Sequence, residues 1–126
     1  MGEIYRSVPQ QQDELLGHVD DEGQVFRDVA RAPDERVGHV TREGQVYRHR
    51  ALRPDERVGY VDDKRDVYRD VSRGRDRRVG SVDRNGEVYA RVSDDKERRV
   101  GKVTGKRSLQ EGAAALLLLL TRSDDD

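Results

Sequence analysis

The chain contains no cysteine and no tryptophan. The first absence removes disulfides, thiolate chemistry and cysteine-based zinc sites together. The second, with one phenylalanine and five tyrosines as the whole aromatic complement, leaves too little ring surface for an aromatic cage that would hold a quaternary ammonium. Charge of one sign is also missing. Arg and Lys number 25 against 26 Asp and Glu, so no global basic field draws the protein to nucleic acid or to anionic lipid. Long apolar runs are absent, because the one continuous stretch, 113–120, is far shorter than the roughly 20 residues a membrane span needs. The amino-terminal residues Met-Gly-Glu-Ile-Tyr-Arg have neither the basic segment nor the apolar core of a secretory signal. A soluble, cytoplasmic protein is expected.

With 33% hydrophobic and 40% charged residues, the composition approaches that of disordered chains. The arrangement argues for order, because the apolar residues recur at a fixed interval. Gly17, Gly38, Gly59, Gly80 and Gly101 are each 21 residues apart. Leu16, Val37, Val58, Val79 and Val100 precede them, and Val19, Val40, Val61, Val82 and Val103 follow two places later. Ile4, Val25, Val46, Val67 and Val88 keep the same interval, each followed by an aromatic: Tyr5, Phe26, Tyr47, Tyr68 and Tyr89.

Valine and tyrosine suit a pleated strand. Asp20-Asp21-Glu22-Gly23 and Asp83-Arg84-Asn85-Gly86 fit a type I turn whose glycine adopts positive φ, the signature of a hairpin with a G1 bulge. That register sets Val40 opposite Val46 and His39 opposite Tyr47. Longer loops around Pro33, Pro54 and Gly74 are expected to lead to the next hairpin.

The fold class expected is all-β with one C-terminal helix: a closed ring of five two-stranded β-hairpins, with the helix packed in the centre. A single repeat domain, 1–126, divides into a half unit (3–8), full units at 16–36, 37–57, 58–78 and 79–99, and a complementary half unit (100–103). The chain opens with the second strand of a unit and ends its repeats with the first strand of another. Joining the two ends completes a fifth hairpin and removes exposed strand edges. An open solenoid is the alternative.

A helix is expected over 108–122, followed by an acidic tail at 123–126. Ser108-Leu109-Gln110-Glu111 reads as a capping box. Three alanines and five leucines follow, apolar all round, as in a helix buried on every side. A cap on a solenoid and an exposed helix that mediates assembly are the competing readings.

The pattern Val37-Gly38-x-Val40 followed by Gly44-x-Val46-Tyr47, with its counterparts in the other units, resembles the β-flower repeat proteins, an uncharacterised group in which four or five short hairpins surround an axis. The resemblance covers residues 3–105 and implies architecture rather than activity. A weaker similarity is to bacterial cell-wall-binding repeats, which take choline or glucan through aromatic clusters that this chain lacks.

Arg6, Arg27, Arg48 and Arg69 form one series, interrupted by Ala90, and Arg36, Arg57, Arg78 and Arg99 a second. A ring of guanidinium groups suits a phosphate or carboxylate, so the first series is the candidate ligand-binding set. Pairing with nearby acids, Asp28 and Asp70 after the first series and Asp34-Glu35 and Asp55-Glu56 before the second, is the simpler reading of these charges. His18 and His39 share one repeat position that Tyr60, Ser81 and Lys102 continue. Packing against Phe26 and Tyr47 explains the pair more simply than a metal, and no metal or cofactor is expected.

Carboxylate positions read as drifting between units, and no nucleophile, base or phosphate loop stands out. The chain is therefore expected to be a structural or protein-interaction module without catalytic activity, binding another protein or itself. The alternative is a cup for a small anion or glycan at one mouth of the ring.

Overall fold

A computed structural model describes residues 2–71 and 74–120. Ten strands account for most of these: β1 (Gly2–Arg6), β2 (Glu14–Val19), β3 (Gln24–Arg27), β4 (Glu35–Val40), β5 (Gln45–Arg50), β6 (Arg53–Val61), β7 (Asp66–Arg69), β8 (Arg77–Val82), β9 (Glu87–Ser93) and β10 (Lys96–Val103). All pairs are antiparallel, each strand lies between its sequence neighbours, and β1 pairs β10 to close a barrel. An open solenoid is thereby excluded. Its complementary ends meet in the register of the other hairpins. Ile4 faces Val103, Tyr5 faces Lys102 and Arg6 faces Gly101, as Val46 faces Val40, Tyr47 faces His39 and Arg48 faces Gly38.

The turns follow from side-chain chemistry. Asp20 Oδ1 accepts the N–H groups of Glu22 and Gln24, each at 2.9 Å, which pins the chain reversal and leaves Gly23 at φ 83°. Asp83 acts in the same way toward Asn85 and Glu87, and Asp62 toward Lys64 and Asp66. Arg65 occupies the glycine position at φ 70°. Its guanidinium donates to the carbonyls of Val82 (2.7 Å) and Asp83 (2.8 Å), contacts that offset the cost of a left-handed conformation in a non-glycine residue.

The longer loop expected around Pro33 is present between β3 and β4, whereas the one expected around Pro54 is not. Pro54 lies within β6, and only Ala51-Leu52 separates β5 from β6. Likewise only Asp94-Asp95 separates β9 from β10. These strands lengthen because Arg50 pairs Arg53, and Lys96 pairs Ser93, beyond the short repeat core.

Between units the ladders carry a recurring irregularity. Phe26 pairs Arg36 while Val25 pairs Gly38, so Val37 is skipped. Leu16, Val58, Val79 and Val100 are skipped in the same way. The extra residue is a β-bulge, which bends and twists the strand and supplies the curvature that closure requires. The glycine after each bulge is demanded by contact. A Cβ on Gly17, Gly38, Gly59, Gly80 or Gly101 would lie between 2.0 and 2.2 Å from the carbonyl oxygen of Phe26, Tyr47, Tyr68, Tyr89 or Tyr5 respectively.

Buried valines from every strand pair share one core with Ala113, Ala114, Ala115, Leu116, Leu117 and Leu118. The C-terminal helix α1 spans Ser108–Ala115 and continues as a π-helical segment, Leu116–Leu120. Residues 121–122 of the expected helix and the tail 123–126 lie outside the described residues. The capping box does not form. Ser108 sits inside the first turn, Arg107 is the cap and no side chain caps the helix. Ser108 Oγ instead accepts from Arg65 at 3.0 Å, while Glu111 turns into the core and is 5% exposed. No helix among the described residues is long and apolar enough to cross a membrane.

Candidate functional site

Three regions of the barrel gather polar side chains. The first holds the predicted arginine series. Strand alternation places each of these arginines on the face of the buried Ile4 or valine two residues earlier, opposite a bulge glycine: Arg6 opposite Gly101, Arg27 opposite Gly17, Arg48 opposite Gly38 and Arg69 opposite Gly59. In the fourth full unit Ala90 takes the place opposite Gly80. Arg48 Nη2 donates to the Leu117 carbonyl at 3.0 Å, bringing a cation to the last turn of the helix, where the helix dipole favours it. Arg6 pairs with Glu14 at 3.1 Å, both about half exposed, and Arg27 is exposed. The series thus shares a position, and Arg6 and Arg48 reach different partners from it.

At the opposite end, the turns Asp20–Gly23 and Val40–Arg42 with Arg107, Gln110 and Glu111 line a cavity of about 240 Å³. Gln110 Nε2 donates to the Arg42 carbonyl at 3.0 Å. Burial pushes the Glu111 carboxyl above the ordinary range, and a backbone hydrogen bond from Gly105 opposes the shift.

The third region is the outer surface, where the second arginine series works. Arg36 donates Nε to Gln24 and grips Asp55 with both terminal nitrogens, at 3.2 and 2.6 Å. His39 Nδ1 stands 2.6 Å from Asp55 Oδ2, and His49 Nδ1 3.6 Å from Oδ1. Arg36 first, then His39, holds the Asp55 carboxyl down to about 2.

The arrangement repeats. Arg78 bridges Asp66 (2.8 Å) and Glu97 (2.5 Å), and Ser81 donates to Glu97. Arg99 joins Glu87 to Asp13, the latter at 2.8 Å, and both carboxylates hold Arg99 still more firmly charged. Arg57 lies 3.7 Å from Asp70 and over the ring of Tyr60. The ion pairing expected for this series is therefore present with different partners. Arg36 and Arg78 reach Asp55 and Glu97 on the strand after next, and Arg99 reaches Asp13 just before β2, rather than the acids just before them in sequence. The carboxylates that seemed to drift keep register here: Asp13, Asp34, Asp55, Asp76 and Glu97 are each 21 residues apart.

His18 and His39 pack as expected. Their rings stack on Phe26 and Tyr47 with centroids 5.0 and 4.6 Å apart, and Tyr60 stacks on Tyr68 in the next unit. Sequence reasoning missed that the same histidines also meet acids. Nδ1 of His18 lies 3.3 Å from Asp28 Oδ1 and 3.7 Å from Asp34 Oδ2. The signal was available in the 21-residue interval, had the loop acids been aligned with the strands.

Neither a known family, nor a curated protein, nor a solved structure matches the chain.

Proposed function

We propose that the chain is a self-plugged scaffold, five repeated hairpins arranged around its own helix, that serves as a structural or protein-interaction module without catalytic activity. One observation carries the reading: consecutive leucines of the helix address consecutive hairpins. A Cβ on Gly80 would meet Leu116 at 2.7 Å, on Gly59 Leu117 at 2.7 Å, on Gly38 Leu118 at 3.0 Å and on Gly101 Leu120 at 3.0 Å.

The π-helical winding fits this use. Hairpins of a five-part ring are about 72° apart, while an α-helix turns about 100° per residue and overshoots. Winding with i→i+5 bonds slows the rotation to roughly 80°, so neighbouring side chains meet neighbouring hairpins. With the chain's own alanines and leucines sharing the core with the valines, we assign function to the outer surface.

The rim at the arginine end supports association. Val29, Val71 and Val92 occupy one repeat position there and are 38%, 39% and 62% exposed, and Leu52 is fully exposed. Three exposed valines at one repeat position, where Arg50 takes a further place, mark a contact surface, with a second copy of the chain as the simplest partner. Light scattering should show a mass that rises with concentration. The triple variant Val29→Glu/Val71→Glu/Val92→Glu should stay monomeric with an unchanged melting temperature. A wild-type chain that is monomeric at every concentration would remove the support for self-association.

A further inference from the structure

The repeat compares five equivalent outer stations, each built from an arginine position, an acid one strand beyond the next hairpin strand, and the histidine-series position beside it. Four stations centre on Arg36, Arg57, Arg78 or Arg99. In the remaining one the arginine position is Leu15, which is 43% exposed where its four counterparts are cations.

The acids at that station have not been lost with the arginine. Asp34 is the repeat equivalent of Asp55, and Asp28 stands where the next unit has His49. Glu3 pairs directly opposite His18 in the β1–β2 ladder and accepts from the Tyr5 hydroxyl at 2.8 Å. Among the described residues, neither Asp28 nor Asp34 is ion-paired with a lysine or arginine; His18 is the one basic group at both. Two acids and a histidine thus converge where every sister station has a guanidinium.

We propose that this station binds one divalent transition-metal ion through His18, Asp28 and Asp34, the ion supplying the positive charge that arginine supplies elsewhere. The donor atoms, His18 Nδ1 and one carboxylate oxygen of each aspartate, all lie within 4.8 Å of one another. Ligands about 2.0–2.2 Å from a tetrahedral zinc ion are roughly 3.4 Å apart, close to the 3.3 and 3.7 Å that separate His18 Nδ1 from the two carboxylates, and an imidazole with two carboxylates is a donor set that zinc accepts. His18 is held for the purpose by its stack on Phe26, which leaves Nδ1 facing both acids. Three protein ligands leave the fourth coordination position to water. The neighbouring station has a similar His39–His49–Asp55 grouping, but Arg36 already grips both oxygens of Asp55, so a metal there would compete with a bound cation.

Calorimetric titration of the full chain with zinc chloride, in a buffer that does not chelate, tests the proposal. One ion per chain is expected. His18→Ala should weaken binding by at least about tenfold, the scale of losses seen even when only outer partners of a metal site are removed. Leu15→Arg should abolish it while the protein melts cooperatively, because that substitution copies the arrangement of four sister stations. His39→Ala should leave the affinity unchanged. Absence of zinc binding, or binding that survives both His18→Ala and Leu15→Arg, would overturn the assignment. So would binding lost in His39→Ala and kept in His18→Ala.

Discussion

Gly59 shows at residue scale why a five-residue signature persists through an otherwise variable chain. Its missing side chain admits the Tyr68 carbonyl from one side and Leu117 from the other. Any Cβ must displace backbone, which flexible side chains cannot relieve. Gly59→Val should therefore cost about 3 kcal/mol or more, measured as the change in urea midpoint at constant slope, and an unchanged midpoint would refute close approach as the reason for glycine.

Asp55 acts through charge instead. Its carboxyl is held at about 2 in the folded chain against about 3.9 when unfolded. A depressed folded value means the stabilisation is complete above pH 4 and disappears as pH falls toward 2. Asp55→Asn should lower stability by roughly 1–2 kcal/mol at pH 7, and the gap between variant and wild type should close by pH 2. A gap that stays constant with pH would point to packing alone.

At the scale of elements, the hairpins were legible because their information is local. A Val-Asp turn and a glycine six residues after its predecessor fix which residues face each other, and the Val40–Val46 and His39–Tyr47 pairs occur as that reasoning requires. The bulges at Leu16, Val37, Val58, Val79 and Val100 were not legible, because they arise only when one hairpin pairs with the next. The helix start was misread for a related reason. Ser108 and Glu111 have the spacing of a cap, but Arg65 from a distant turn claims the serine, and the core takes the glutamate.

The π-helical segment is equally silent in sequence, since five leucines in a row carry no period of their own. Its predicted weight is testable: Leu117, fully buried against the Gly59 hairpin, should cost about 2–5 kcal/mol as Leu117→Ala, whereas a loss under about 0.5 kcal/mol would show that the helix packs loosely.

Across the whole molecule, two sets of charges do different work. The inner arginines gather at the end where Arg48 meets the helix terminus. The outer arginines tie each strand to acids further round the barrel, joining residues as distant in sequence as Asp13 and Arg99. The sequence disclosed both arginine series but not their partners. Nearest-neighbour pairing was the natural guess, and only barrel curvature brings the acid of one loop to the arginine two strands away. The repeat also makes its one exception informative, since Leu15 is noticed only against four arginines.

In the proposed scaffold the helix is the element around which the hairpins are held. Ending the chain at Arg107 removes that element and leaves all ten strands. Circular dichroism of this truncated chain through a thermal ramp is the direct measurement. An aggregated or unfolded product without a cooperative transition is predicted, because the valine-lined interior would face water. A soluble β-sheet protein melting in one sharp transition would contradict the plug and return the helix to the role of an appendage.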